Sequence, residues 1–202
     1  MSAHGPGHAR WYIERFRRLA AEGADLAGEA RFVDALVAPG GRILDAGCGT
    51  GRVGAELFRR GHAVVGADVD EELVAAARAD HPGATWVHAD LATLDAAALG
   101  WPEPFDAAVL AGNVMPYLAP DTEAEVLRRV GLAVRPDGVL AVGFGLDRGY
   151  SLAAFDVDLR SAGLRLEHRF ATWDLRPWTR QAGFAVSVLR RHAGFHPGPL
   201  PR

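Results

Sequence analysis

Residues 42–52 read Arg42-Ile43-Leu44-Asp45-Ala46-Gly47-Cys48-Gly49-Thr50-Gly51-Arg52, a buried strand followed by a loop with three alternating glycines. Glycine keeps such a turn tight and lets a ligand approach the backbone. After Gly51 the apolar residues recur at helical spacing, so the loop lies at the N-terminus of a helix. This end of a helix attracts a negative group.

An acidic residue, Asp45, stands at the start of this loop. A carboxylate there would repel a pyrophosphate, and the dinucleotide fingerprint also needs a later glycine that is missing. We therefore expect a ligand with a positive group near the loop, such as an ammonium or a sulfonium. At this point the chain resembles the class I S-adenosylmethionine-dependent methyltransferases, whose first motif D-x-G-x-G-x-G is met by Asp45, Gly47, Gly49 and Gly51. A glycine-rich turn without a ligand is the alternative.

The length and composition fit one domain, which we expect to span residues 1–195, with a loose tail over 196–202. The net charge of −3 argues against a nucleic-acid partner. The single cysteine, Cys48, fits a reducing compartment. The chain shows neither a membrane-length apolar run nor a signal-peptide core, so we expect a cytoplasmic protein with no membrane partner. The sequence does not indicate the oligomeric state.

Strand and helix patterns alternate after two N-terminal helices, with a short helix expected near Ala96. This alternation predicts an α/β fold with a mostly parallel sheet and helices on both faces. The last two strands, Arg165 to Trp173 and Phe184 to Arg190, have no helix-length segment between them and should be antiparallel. A seven-stranded Rossmann-like sheet with an antiparallel last strand is also what the resemblance implies.

Ligands of open α/β sheets bind beyond the carboxyl ends of the strands, so these ends hold the candidate cofactor residues. Asp68 ends the second strand, where a carboxylate can accept both hydroxyls of a ribose. The resemblance gives Asp90 the adenine amino group and the backbone of Leu91 a ring nitrogen. It also places Val69 on the adenine face and Cys48 in the loop wall. Asn113, after the fourth strand, completes the predicted cofactor-binding set.

We expect no metal ion, because Ala111, Gly112, Phe144 and Gly145 stand where metal-dependent relatives carry oxygen ligands. The sequence identifies no catalytic residue. Candidate bases, each with an ordinary structural role as the alternative, are Asp147, His168 and Asp174. Candidate acceptor residues are the Trp173, Arg176 and Trp178 cluster, which could equally cover the sheet, together with Met115, Tyr117, Phe144, Arg148 and Tyr150.

The sequence thus predicts transfer of a methyl group from S-adenosyl-L-methionine to a small-molecule acceptor. The alternatives are a protein that binds S-adenosylmethionine or a nucleotide without catalysis, and a nicotinamide-dependent oxidoreductase.

Overall fold

A single seven-stranded sheet forms the centre of the structure, a computed structural model that describes residues 7–191. Its strands are β1 (Arg42–Ala46), β2 (Ala63–Asp68), β3 (Thr85–His88), β4 (Phe105–Leu110), β5 (Val134–Gly145), β6 (Leu164–Phe170) and β7 (Phe184–Arg191). They lie in the order β3-β2-β1-β4-β5-β7-β6. Neighbours from β3 to β5 are parallel, and β7 runs antiparallel to both β5 and β6. The predicted fold class is confirmed.

Seven α-helices connect or precede these strands in the part of the chain described. They are α1 (His8–Ala21), α2 (Gly28–Asp34), α3 (Arg52–Arg59), α4 (Glu71–Asp80), α5 (Val114–Tyr117), α6 (Glu123–Ala133) and α7 (Leu152–Ser161). The N-termini of α4 and α7 are capped by side chains. Asp70 accepts hydrogen bonds from the backbone N–H groups of Glu72 and Leu73, and Ser151 accepts one from that of Ala154. Such caps satisfy backbone N–H groups that have no partner within the helix.

The alternation of side chains along the strands builds a core on each face of the sheet. On one face Ile43, Val64 and Val109 are buried with residues of α2 and α3. On the other, Leu44 and Leu110 are buried with residues of α6 and α7. Helices on both faces hold the sheet rigid, so the loops at its carboxyl edge are fixed in relation to one another.

The prediction of a short helix near Ala96 is wrong. The structure has a 3-10 helix over Leu91–Thr93 and then turns that end at Gly100, which adopts a φ of 90°. The alanines favour a helix, but the left-handed glycine and Pro102 stop it after about one turn. The short α5 was not predicted.

The end of the predicted domain at residue 195 and the predicted tail over 196–202 lie outside the described residues. Within residues 7–191, no helix has both the length and the apolar character needed to span a membrane.

Candidate functional site

A cavity of about 170 Å³ lies at the carboxyl ends of β1 to β4. Its lining comes from the loops after these strands and from α1: Tyr12, Gly47, Gly49, Asp68, Val69, Asp70, Leu73, Asp90, Leu91, Ala111, Gly112, Val114, Tyr117 and Leu118. A larger groove of about 720 Å³ runs between α1, α3 and α4, but no loop after β2, β3 or β4 reaches it. We assign the site to the smaller cavity because strand ends are where α/β sheets bind ligands.

The three glycines of the first loop serve different purposes, although all have a positive φ, of 80° at Gly47, 53° at Gly49 and 78° at Gly51. A Cβ on Gly47 would come within 2.4 Å of Val114, and one on Gly51 within 2.7 Å of Trp86. Only Gly49 faces the cavity without such a clash. Gly51, which was predicted to bind the cofactor, packs against the protein itself and does not line the cavity.

Asp45 lies beneath the loop and outside the cavity wall. Its side chain is buried, and Oδ2 accepts a hydrogen bond of 2.8 Å from the backbone of Gly54 in the first turn of α3. Burial raises the pKa of Asp45 to about 7. This position does not support the predicted direct binding of the cofactor by Asp45. A negative charge on Asp45 can act on the cavity only through the loop.

Cys48 is also outside the cavity wall. Its side chain is buried with Val74, Ala77 and Trp86 behind the loop. Burial raises the pKa of the Cys48 thiol well above its usual range, so it is a small packing residue.

Asp68 joins the glycine loop to the end of β2. Its Oδ2 accepts from the backbone of Gly49 at 2.8 Å, and Oδ1 accepts from the backbone of Asp70 at 2.9 Å. A carboxylate has about four lone-pair directions, so these two hydrogen bonds do not use its whole accepting capacity. Burial raises the pKa of Asp68, an effect that these backbone hydrogen bonds oppose. This predicted residue lies where a ligand would meet it.

The residues predicted to hold adenine also reach the cavity. Val69 lines it with 46% of its surface exposed, unusual for a valine. Asp90 begins the 3-10 helix and accepts from Ala92 through Oδ1 at 2.8 Å, which leaves Oδ2 toward solvent or ligand. Leu91 is the first residue of that helix, so its N–H has no partner within it.

Asn113, which was predicted to bind the cofactor, is not among the residues that line the cavity. It adopts a φ of 68°, and its Oδ1 accepts from the backbone of Gly145 at 2.7 Å. The side chain therefore ties the end of β4 to the end of β5, while the neighbouring Gly112 and Val114 line the cavity.

Tyr12 is the main residue that the sequence interpretation missed. It lies 3.4 Å from the position of a Cβ on Gly49, and its ring packs at a tilt of 53° against that of Phe16, with 4.6 Å between the ring centroids. Arg52 lies over the ring of Phe16 and forms an ion pair with Glu29, so α1 is held against the glycine loop. The helical spacing of aromatic residues in α1 was the available signal, although it does not say what they cover.

The aromatic cluster after β6 lies elsewhere. Trp173 contacts Phe32 of α2 edge-on at 5.3 Å and fills the space above Gly143. Arg176 is exposed and pairs with Asp174. Neither these residues nor Trp178 lines the cavity. Of the two interpretations left open, the position favours a cover for the sheet.

The other candidates divide in the same way. Met115, Phe144 and Tyr150 are buried in the core, whereas Tyr117 lines the cavity and accepts a 3.0 Å hydrogen bond from Arg148. The candidate bases Asp147, His168 and Asp174 lie outside the cavity wall.

The lining carries three carboxylates, from Asp68, Asp70 and Asp90, and none of the described lining residues is cationic. This charge favours a ligand with positive and hydroxyl groups and disfavours a pyrophosphate.

Comparison with known proteins agrees with this geometry. A methyltransferase-domain family matches residues 43–138. A TehB-like SAM-dependent methyltransferase from Corynebacterium glutamicum is 41% identical, with a TM-score of 0.86 over 93% of this chain and 100% of that chain. An uncharacterized methyltransferase of Mycobacterium tuberculosis is 36% identical over 113 residues, 54% of each chain. The chain thus spans about half the length of the curated relatives that it matches.

Proposed function

The chain belongs to the class I S-adenosylmethionine-dependent methyltransferases, and we propose that it transfers a methyl group to a small-molecule acceptor without a metal ion. The observation that carries this proposal is the cavity at the carboxyl ends of β1 to β4, with its acidic lining.

The residues present fit the family's cofactor, S-adenosyl-L-methionine. We assign the ribose diol to the carboxylate of Asp68, which lines the cavity. We assign the adenine edge to Asp90 and the N–H of Leu91, and the adenine face to Val69, because these residues also line the cavity. Gly49 presents bare backbone to the cavity. In this assignment the adenosine lies toward β3 and the methionine toward β4.

When bound, the cofactor supplies an electrophilic methyl group on a sulfonium. The protein's contribution is to hold the acceptor in line with it and to exclude water. Tyr12 and Leu118 enclose the cavity, and Gly112 leaves the end of β4 free of a side chain. Since no candidate base lines the cavity, we propose that positioning supplies most of the rate.

Independence from a metal ion is supported by the side chains after β4 and β5. Ala111, Gly112 and Gly145 offer no side-chain oxygen, and Phe144 is buried. Between residues 7 and 191, no group of three or more histidine, cysteine or acidic side chains is arranged to hold a metal ion. Mg²⁺ prefers oxygen ligands, which these positions do not supply.

Of the two alternatives, the oxidoreductase fits the cavity less well, because a nicotinamide dinucleotide would bring a pyrophosphate against three aspartates. A protein that only binds the cofactor would have the same cavity lining, and turnover with an acceptor distinguishes it from an enzyme.

Calorimetric titration with S-adenosylhomocysteine and, separately, with NAD distinguishes these functions. We expect micromolar binding of the first and none of the second. A screen of small amines, alcohols, thiols and acids, read out as formation of S-adenosylhomocysteine, should then find an acceptor. Tight binding of NAD, or no binding of S-adenosylhomocysteine, would contradict the proposal.

A further inference from the structure

A guanidinium lies beside the acidic cavity, on the side away from the residues assigned to adenosine. Arg148 follows β5, and its Nη1 donates a 3.0 Å hydrogen bond to the hydroxyl of Tyr117. The ring of Tyr117 lines the cavity, so this one side chain connects the cavity to the guanidinium. Along the sheet edge the order is β3, β2, β1, β4 and β5, which puts Arg148 next to the end where the methyl group would lie.

The loop that carries Arg148 begins at a fixed point. Asn113 accepts a hydrogen bond of 2.7 Å from the backbone of Gly145, which fastens the loop after β5 to the loop after β4. The side chain of Arg148 is 46% exposed, and its hydrogen bond to Tyr117 fixes its position relative to the cavity.

Most hydrogen-bond donors of Arg148 remain available. A guanidinium has five N–H groups, and one of them is used by Tyr117. The nearest carboxylate, that of Asp147, is 83% exposed and lies 3.9 Å from Nε, which is too long for a hydrogen bond. The planar fork can thus bind a carboxylate through two parallel hydrogen bonds.

We propose that Arg148, oriented by Tyr117, binds a carboxylate on the methyl acceptor, so that the acceptor is a small organic acid. This inference rests on the proposed function and deepens it. The acidic cavity takes the cationic cofactor and repels an acid, whereas the neighbouring guanidinium attracts it. Repulsion by the carboxylates of the cavity and attraction by Arg148 together place the acceptor at the carboxyl ends of β4 and β5. Arg148 is a specificity-determining residue in this arrangement, and Tyr117 is a positioning residue.

The test uses benzoate and its neutral isostere benzamide as probes, titrated into the protein saturated with S-adenosylhomocysteine and followed by the NMR signals of arginine Nε–H groups. We expect benzoate to shift the Arg148 signal and to bind at least about tenfold more tightly than benzamide. Arg148→Gln should abolish this preference and leave the affinity for S-adenosylhomocysteine unchanged. The matched control is Arg165→Gln, because Arg165 is similarly exposed but pairs with Glu167 on β6; it should retain the preference.

Two outcomes overturn the inference, and they are distinguishable. If S-adenosylhomocysteine binds but benzoate and benzamide bind equally, or if Arg148→Gln keeps the preference, the acceptor subsite is wrong while the proposed function stands. If S-adenosylhomocysteine does not bind to the wild-type protein, the proposed function fails and the subsite fails with it.

Discussion

Replacement of Asp68 by alanine tests the ribose assignment most sharply. The carboxylate is placed to accept two ribose hydroxyls while holding the backbone N–H groups of Gly49 and Asp70. A hydrogen bond to a charged group contributes about 1.5–3 kcal/mol, and water replaces only part of it at a partly buried site. We therefore expect Asp68→Ala to weaken binding of S-adenosylhomocysteine by about 2–4 kcal/mol, measured by calorimetry.

Asp68→Ala also removes the hydrogen bonds that hold the backbone around Asp68, so its effect on stability needs a separate control. The two backbone N–H groups lose their acceptor, so the free energy of unfolding should fall by about 1–3 kcal/mol. Asp106 is a matched control at the opposite end of the sheet, because it accepts from the backbone of Arg42 and pairs with Arg135. Asp106→Ala should lose comparable stability and keep full affinity. A change in binding below about 0.5 kcal/mol in folded Asp68→Ala would refute the assignment.

Three further predictions follow from the loop and its surroundings. Gly49→Ala should lose most of its affinity for the cofactor, while its free energy of unfolding should fall by only about 1–2 kcal/mol. Gly51→Ala, whose Cβ would meet Trp86 at 2.7 Å, should lose about 2–5 kcal/mol of unfolding free energy in a denaturant melt. Equal losses of stability in the two variants would contradict this difference. The raised pKa of Asp45, about 7, favours the protonated form in the folded protein. Its stabilising contribution is therefore complete below about pH 4 and is lost as the pH rises through about 7, with a slope of at most about 1.4 kcal/mol per pH unit. The difference in unfolding free energy between wild type and Asp45→Asn should show this slope, and a flat difference from pH 4 to 8 would refute it. EDTA should leave methyl transfer unchanged, and activity that vanishes on chelation and returns with Mg²⁺ would overturn metal independence.

The fold could be predicted from sequence because each pattern there has one dominant physical cause. The alternation of strands and helices that the apolar periodicity predicts is observed, as in Ala63–Asp68, Glu71–Asp80 and Thr85–His88. The prediction of a helix near Ala96 was wrong. The alanines there have a strong helix propensity, but Gly100 adopts a left-handed conformation that ends the turn, and helix propensity alone does not predict that conformation.

The site was predictable only where backbone position alone decides the role. Asp68, Val69, Asp90 and Leu91 follow strand ends and reach the cavity, as the topology requires. Asn113 shares such a position, but its side chain turns to the backbone of Gly145, which no spacing rule indicates. Tyr12 is distant in sequence and covers the loop only through the packing of α1, so periodicity could not assign it.

A crystal structure of the protein with S-adenosylhomocysteine would show where the cofactor binds. We expect the ligand in the cavity at the ends of β1 to β4, with both ribose hydroxyls about 2.5–3.0 Å from the carboxylate of Asp68 and the sulfur beside Gly112, facing Tyr117. A ligand bound in the groove between α1, α3 and α4, or one whose ribose is held away from Asp68, would contradict it.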